Sequence, residues 1–178
     1  MRKLVSTLFL SVDGVAEAPD KFCVAWDDVV DARGADIIAM QDAVILGRRT
    51  YDEWAGFWPT SDIEPFASFI NRVPKYVATS TPLTQPWENA TAIEGGLMEF
   101  VQDLKNSSGA DIGVHGSVSV THALLAAGVL DELRLAVAPA VVGHGRRLLD
   151  GLPPMRLEAV GSVATPSGYL LADYRIAR

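Results

Sequence analysis

Apolar residues along this chain fall into short runs separated by amphipathic stretches. The runs are Leu4–Val12, Ala43–Leu46, Lys75–Thr79, Asp111–Val114, Leu133–Val142, Arg156–Val160 and Tyr169–Ile176. Most are β-branched and bounded by Gly, Pro or Asp, the pattern of strands. The stretches between the early runs have helical spacing and helical punctuation. Asp27-Asp28 predicts a capped helix through Met40, because a carboxylate there accepts from first-turn N–H groups. Ser61-Asp62 predicts another that runs to Arg72 and ends at Pro74. Gly96–Lys105 puts Leu97, Phe100, Val101 and Leu104 on one face. Ser117–Ala127 carries Val120, Leu124 and Leu125, and Gly128 stands where a helix stop belongs.

The resulting order is β-α-β-α-α-β-(short β)-α-β-α, followed by strands alone. Such alternation predicts an α/β domain, a mostly parallel sheet with helices on both faces. Ser167-Gly168, between the last two runs, predicts an antiparallel hairpin at one edge. No repeat, low-complexity tract or linker divides the chain, so residues 1–178 read as a single domain with one real core. In sheets of this kind ligands bind beyond the carboxyl ends of the strands. The loops at Asp13, Gly47, Thr79 and His115 are therefore the places to look.

Composition removes several function classes. A hydrophobic share of 49% and a charged share of 21% are ordinary for a globular protein. The formal charge of -7 argues against a nucleic-acid binder or a polybasic membrane binder. Cys23 is the single cysteine, which permits no intrachain disulfide and favours a reducing, cytoplasmic setting. Arg2-Lys3, Leu4–Val12 and Ala16-Glu17-Ala18 loosely imitate a signal peptide. However, Ser6, Thr7 and Ser11 break the run and Asp13 precedes the supposed cleavage site, so a first strand explains it better. No stretch approaches the roughly 18 apolar residues of a membrane helix. His115, His122 and His144 show no metal-ligand spacing, and no metal is expected. The zinc-deaminase pattern, the P-loop and the Gly-x-Ser-x-Gly elbow are absent.

The chemistry is concentrated in Ala43–Trp54. An apolar run stops at Gly47, Arg48, Arg49 and Thr50 follow, and a helix-compatible segment begins. A strand that opens a helix at a glycine points unpaired N–H groups at one spot, and two guanidinium groups make that spot fit a phosphate. The bland alternative is a strand-to-helix turn with a solvated arginine pair. Gly143–Leu148 starts like a dinucleotide fingerprint, but Leu148 stands in its sixth position and Gly151-Leu152-Pro153-Pro154 follows closely; it reads as a turn after a strand. Asp13 has two readings of equal weight: a carboxylate at the pocket rim that orients substrate or relays a proton, or a turn residue before Gly14.

Four segments in order carry a family resemblance: Ser11–Gly14, Leu46–Tyr51, Tyr76–Thr81 and Val114–Val118, the last leading to Ala126–Leu149. Together they resemble the dihydrofolate-reductase-like superfamily, in particular the branch of the riboflavin-biosynthesis reductase domain (the RibD C-terminal domain). The resemblance implies a three-layer fold with a mixed, mostly parallel sheet and a C-terminal antiparallel hairpin. It implies NADP(H) as cofactor and a small heterocyclic or ribosyl-pyrimidine substrate, as for 5-amino-6-(5-phosphoribosylamino)uracil reductase or dihydrofolate reductase. It implies that Gly47, Arg48, Arg49 and Thr50 hold cofactor phosphates, and that Thr79, Ser80 and Thr81 line the adenosine end. His115, Gly116, Ser117 and Val118 would hold the pyrophosphate, although the family's usual two or three consecutive glycines are here reduced to one. It also implies a homodimer through the C-terminal strands.

Two further residues follow from the same comparison. Dihydrofolate reductase carries a pocket carboxylate on its first helix, which leaves Asp27 open as a catalytic residue beside its capping role. Trp26 is the tryptophan placed near substrate, whereas Trp54 and Trp58 read as core. The rival expectation is a non-catalytic, dimeric nucleotide-binding protein that kept the fold.

Overall fold

Residues 1–177 are described by the structure, a computed structural model. The apolar runs form strands of one eight-stranded sheet, ordered β4-β3-β2-β5-β1-β6-β8-β7. β1 (Leu4–Leu10) lies near the middle, between β5 (Asp111–His115) and β6 (Glu132–Val137), parallel to both. β2 (Gln41–Gly47), β3 (Lys75–Ala78) and the short β4 (Ala90–Ala92) extend the parallel part. β8 (Leu170–Ile176) then runs antiparallel to β6, and β7 (Leu157–Ala164) antiparallel to β8. This is the edge hairpin expected around Ser167-Gly168.

Side chains alternate across the sheet and feed separate cores. On one face Leu4, Leu8, Ile45, Ile112, Val114 and Leu133 pack with Val101 of α4 (Leu97–Asn106) and with Val120, Leu124 and Leu125 of α5 (Val118–Ala126). On the other face Val44, Leu46 and Val77 pack with Tyr51 and Ala55 of α2 (Arg48–Ala55) and with Phe69 and Ile70 of α3 (Phe66–Arg72). Val30 of α1 (Asp28–Ala39), Ala136, Tyr169 and Leu171 continue that layer over β6 and β8. β2 is buried on both faces, as a strand inside a three-layer domain must be. Among the described residues no helix is long and apolar enough to cross a membrane.

Three boundaries differ from the sequence expectation by more than two residues, each for a local reason. α3 starts at Phe66 rather than after Ser61-Asp62, because Pro65 keeps Glu64 out of the helical region; Ser61 Oγ instead accepts a local bond from Ile63 N–H. The run Leu133–Val142 leaves the sheet after Val137, since Pro139 has no N–H to give a ladder. β7 extends to Ala164, well past Val160; its side chains are mostly exposed, so an apolar pattern could not mark it.

Candidate functional site

The site begins where β2 and β5 end. α2 and α5 both start there, and neither has a side-chain cap on its first-turn N–H groups. The two starts are stapled together. Gly47 N–H donates to Ser117 Oγ at 2.7 Å, Thr50 Oγ1 lies 3.0 Å from the same oxygen, and Thr50 also reaches the Gly116 carbonyl at 3.3 Å. A Cβ on Gly47 would stand 3.3 Å from Val120 and 3.4 Å from Ser117 Oγ, so the approach leaves little room for a side chain. Gly116 has φ +61, and a Cβ there would meet Trp54 at 3.1 Å, so both backbone and space call for glycine. Uncapped N–H groups of two helices thus share one edge of the sheet, a setting for an anion.

The two arginines have different surroundings. Arg48 Nε lies 2.9 Å from both oxygens of Asp52, while its Nη1 donates to Thr81 Oγ1 at 2.6 Å, to the Pro82 carbonyl at 2.9 Å and to Thr79 Oγ1 at 3.3 Å. Arg48 therefore ties the Thr79–Thr81 turn to α2. Thr79 Oγ1 accepts Thr81 N–H at 3.1 Å, which leaves Ser80 exposed at the apex of the turn. Arg49 is 69% exposed and pairs with Glu17 Oε1 at 2.8 Å and Glu53 Oε1 at 3.5 Å. One guanidinium is part of the wall and the other projects from it.

His115 contributes only backbone to this edge. Its ring turns to the opposite face, where Nε2 lies 2.7 Å from Gln41 Oε1 and the rings of Phe66 and Phe69 stand 5.5 and 6.1 Å away. Desolvation pushes its pKa down to about 4, so the ring is neutral. Gly113 makes room for the pair: a Cβ there would fall 2.2 Å from Gln41 Oε1.

Both singled-out carboxylates are committed as acceptors. Asp13 accepts from Ser11 Oγ at 2.7 Å, Val142 N–H at 3.0 Å and Gly143 N–H at 2.9 Å, clasping the loop after β6. Asp27 caps α1 through Val29 and Val30 N–H and accepts from Ser167 N–H at 2.8 Å and Ser167 Oγ at 2.6 Å. Bonds from Val142 and Ser11 to Asp13, and from Ser167 to Asp27, hold both carboxyls well below the usual carboxylate range. Neither has a proton to give near neutral pH. Trp26, next to Asp27 in the chain, is 47% exposed, edge-on to Phe9 at 5.0 Å and 6.0 Å from Tyr169. Trp54 and Trp58, expected in the core, are half-buried and pack with Phe66 against it, Trp54 bordering Gly116.

The structure therefore joins Gly47–Thr50, Thr79, Thr81, Gly116 and Ser117 in one cluster, while Asp13 is tied to the loop after β6 and Trp26 and Asp27 to the start of α1. Glu17 bridges Arg49 to the 145–147 turn, because its other oxygen accepts Arg146 N–H at 3.3 Å. Arg146 in turn donates to Ser119 Oγ at 2.8 Å, beside a depression of about 390 Å³ between α5 and the 145–147 turn. Glu17 and Gln41 were invisible to sequence reasoning, since their partners lie far along the chain. Arg146 was marked only through the Arg146-Arg147 pair, which in sequence reads as a solvated pair or as a reach toward a substrate phosphate.

Solved structures share this architecture. A protein from Shewanella sp. PV-4, provisionally named for riboflavin biosynthesis, superposes with a TM-score of 0.79 over 99% of both chains at 19% identity. Dihydrofolate reductase from Enterococcus faecalis, complexed with NADP(H), superposes with a TM-score of 0.67 at 15% identity, over 99% of this chain and 97% of that one. The fold is thus the dihydrofolate-reductase-like one. In sequence, the chain is 25% identical over 181 residues to the uncharacterized protein YyaP of Bacillus subtilis (strain 168), covering 97% of this chain and 94% of that one. Residues 2–171 match the model of the RibD C-terminal domain, and the chain belongs to that family.

Proposed function

We propose that this protein is a cytoplasmic NADPH-dependent reductase of a small heterocyclic or ribosyl-pyrimidine substrate. The observation that carries the reading is the pair of uncapped helix starts stapled through Gly47, Thr50 and Ser117, flanked by Arg48 and Arg49. Gly116, Ser117 and Val118 would face the pyrophosphate with backbone N–H groups. The Arg48–Thr79–Thr81 wall, with exposed Ser80, would take the 2′-phosphate, and Arg49 a bridging phosphate. The family membership and the NADP(H) complex of the Enterococcus reductase support this choice.

When bound, the cofactor would supply the hydride for an electron-poor C=N or C=O carbon. The chain supplies position and exclusion of water. Trp26 offers an exposed aromatic face for a planar ring, while Asp13 and Asp27, whose oxygens already accept from Ser11, Val142, Gly143, Val29, Val30 and Ser167, hold the loops around it in place. The proton would come from solvent, because neither carboxyl holds one at neutral pH. That same absence favours a second reading, a nucleotide-binding protein without turnover.

The test is a titration with NADPH and NADH followed by tryptophan fluorescence. A guanidinium on the 2′-phosphate is worth about 1.5–3 kcal/mol, or roughly 10- to 100-fold in favour of NADPH. The double variant Arg48→Ala, Arg49→Ala should lose this preference; equal binding of both dinucleotides by wild type refutes the site. NADPH oxidation across pterin and ribosyl-pyrimidine substrates separates the reductase from the binding protein. We also propose a homodimer closed over the exposed edge strand β7, whose free backbone groups invite pairing. Light scattering at micromolar concentration that reports a monomer sinks this assembly.

A further inference from the structure

We propose that Glu17 is an internal stand-in for a ligand phosphate, which pairs with Arg49 and is displaced when a dinucleotide binds. The inference rests on the reading of the groove as an NADP(H) site. Glu17 sits on the loop between β1 and α1, and its two oxygens face two different walls. Oε1 accepts from Arg49 Nη1 at 2.8 Å, at the start of α2. Oε2 accepts from Arg146 N–H at 3.3 Å and lies 3.7 Å from the point where a side chain on Gly145 would begin. The same turn reaches the first turn of α5 through Arg146 Nη2 and Ser119 Oγ at 2.8 Å. One carboxylate thus engages a guanidinium and a backbone N–H between the starts of α2 and α5, the donor set that phosphate oxygens use.

A phosphate and a carboxylate cannot both take Arg49 without like-charge repulsion at close range. Binding therefore exchanges one anion for another, and Arg49 turns from Glu17 to the ligand. The exchange frees Glu17 from Arg49, while Asp13 still clasps Val142 and Gly143 and keeps the two loops together. The movement stays local, next to Ala18, which has φ 50, a conformation that costs a non-glycine residue energy. Glu17 is then a determinant of cofactor affinity that works by competition.

The experiment is an NADPH titration, followed by tryptophan fluorescence, of wild type, Glu17→Gln, Arg49→Ala and the double variant. Glu17→Gln should bind about two- to fivefold tighter, the range of an exposed ion pair. The gain should vanish in the Arg49→Ala background, since the competition acts through that guanidinium. Unchanged or weaker binding by Glu17→Gln, with wild type still preferring NADPH over NADH, overturns the Glu17 role alone. A gain that persists without Arg49 also overturns it, because it then reflects only a less acidic surface. A wild type that binds neither dinucleotide overturns the groove reading as well.

Discussion

Acidification should weaken this fold through His115 before any carboxylate is involved. The ring is 5% exposed, hydrogen-bonded to Gln41 and flanked by Phe66 and Phe69, and its pKa is pushed from 6.5 to about 4 by desolvation. A histidine whose folded pKa is depressed takes up its proton in the unfolded chain first. Its full contribution is therefore present above pH 6.5 and is lost as pH falls toward about 4. The shift corresponds to about 3.4 kcal/mol at full loss, and to about 2 kcal/mol already at pH 5. Against a typical domain stability of about 5–15 kcal/mol this is large. Urea denaturation at pH 7.5 and pH 5 measures it, with His115→Gln as reference, because glutamine does not titrate. Asp13 and Asp27, with depressed pKa values, lose their contributions only as pH falls below 3.8, outside this window. If wild type and His115→Gln lose the same stability between the two pH values, His115 is not held neutral by burial and the argument fails.

Three further outcomes follow from the site. Ser117→Ala removes the acceptor of Gly47 N–H and should cost about 1–3 kcal/mol in chemical denaturation, while NADPH binding weakens; unchanged stability would mean that the staple is dispensable. Gly116→Ala forces a Cβ into φ +61 and toward Trp54, so thermal unfolding should show a loss of about 1–2 kcal/mol; a neutral result would show that this turn relaxes freely. Asp27→Ala takes away the α1 cap and the acceptor of Ser167, and a loss of about 1–2 kcal/mol is expected from urea titration; a variant that keeps stability and loses substrate turnover would move Asp27 from scaffold to chemistry.

Much of the architecture was legible along the chain because it rests on local rules. Apolar runs of strand length became strands, Asp27 capped α1 and Gly128 followed α5. The strand–glycine–arginine sequence at Gly47 opened a helix. The order of the elements also determined the parallel sheet with its terminal hairpin, since crossover helices demand the first and a short turn the second. Where a local rule competed with another, as Pro65 did with the Ser61-Asp62 cap, the stiffer backbone constraint prevailed.

Tertiary structure alone decided what each side chain faces. Period-two alternation puts His115 opposite Val114, yet only the packed fold brings Gln41 to meet its ring. Arg48 and Arg49 are adjacent and alike in sequence, but α2 turns one into the Thr79–Thr81 wall and leaves the other to Glu17. The ionisation of Asp13 and Asp27 depends on donors from Val142, Gly143 and Ser167, far off along the chain. Composition and periodicity set which segments become elements, because that choice is made over a few neighbouring residues. Charge, protonation and partner choice are set by distances across the fold, which no local pattern encodes.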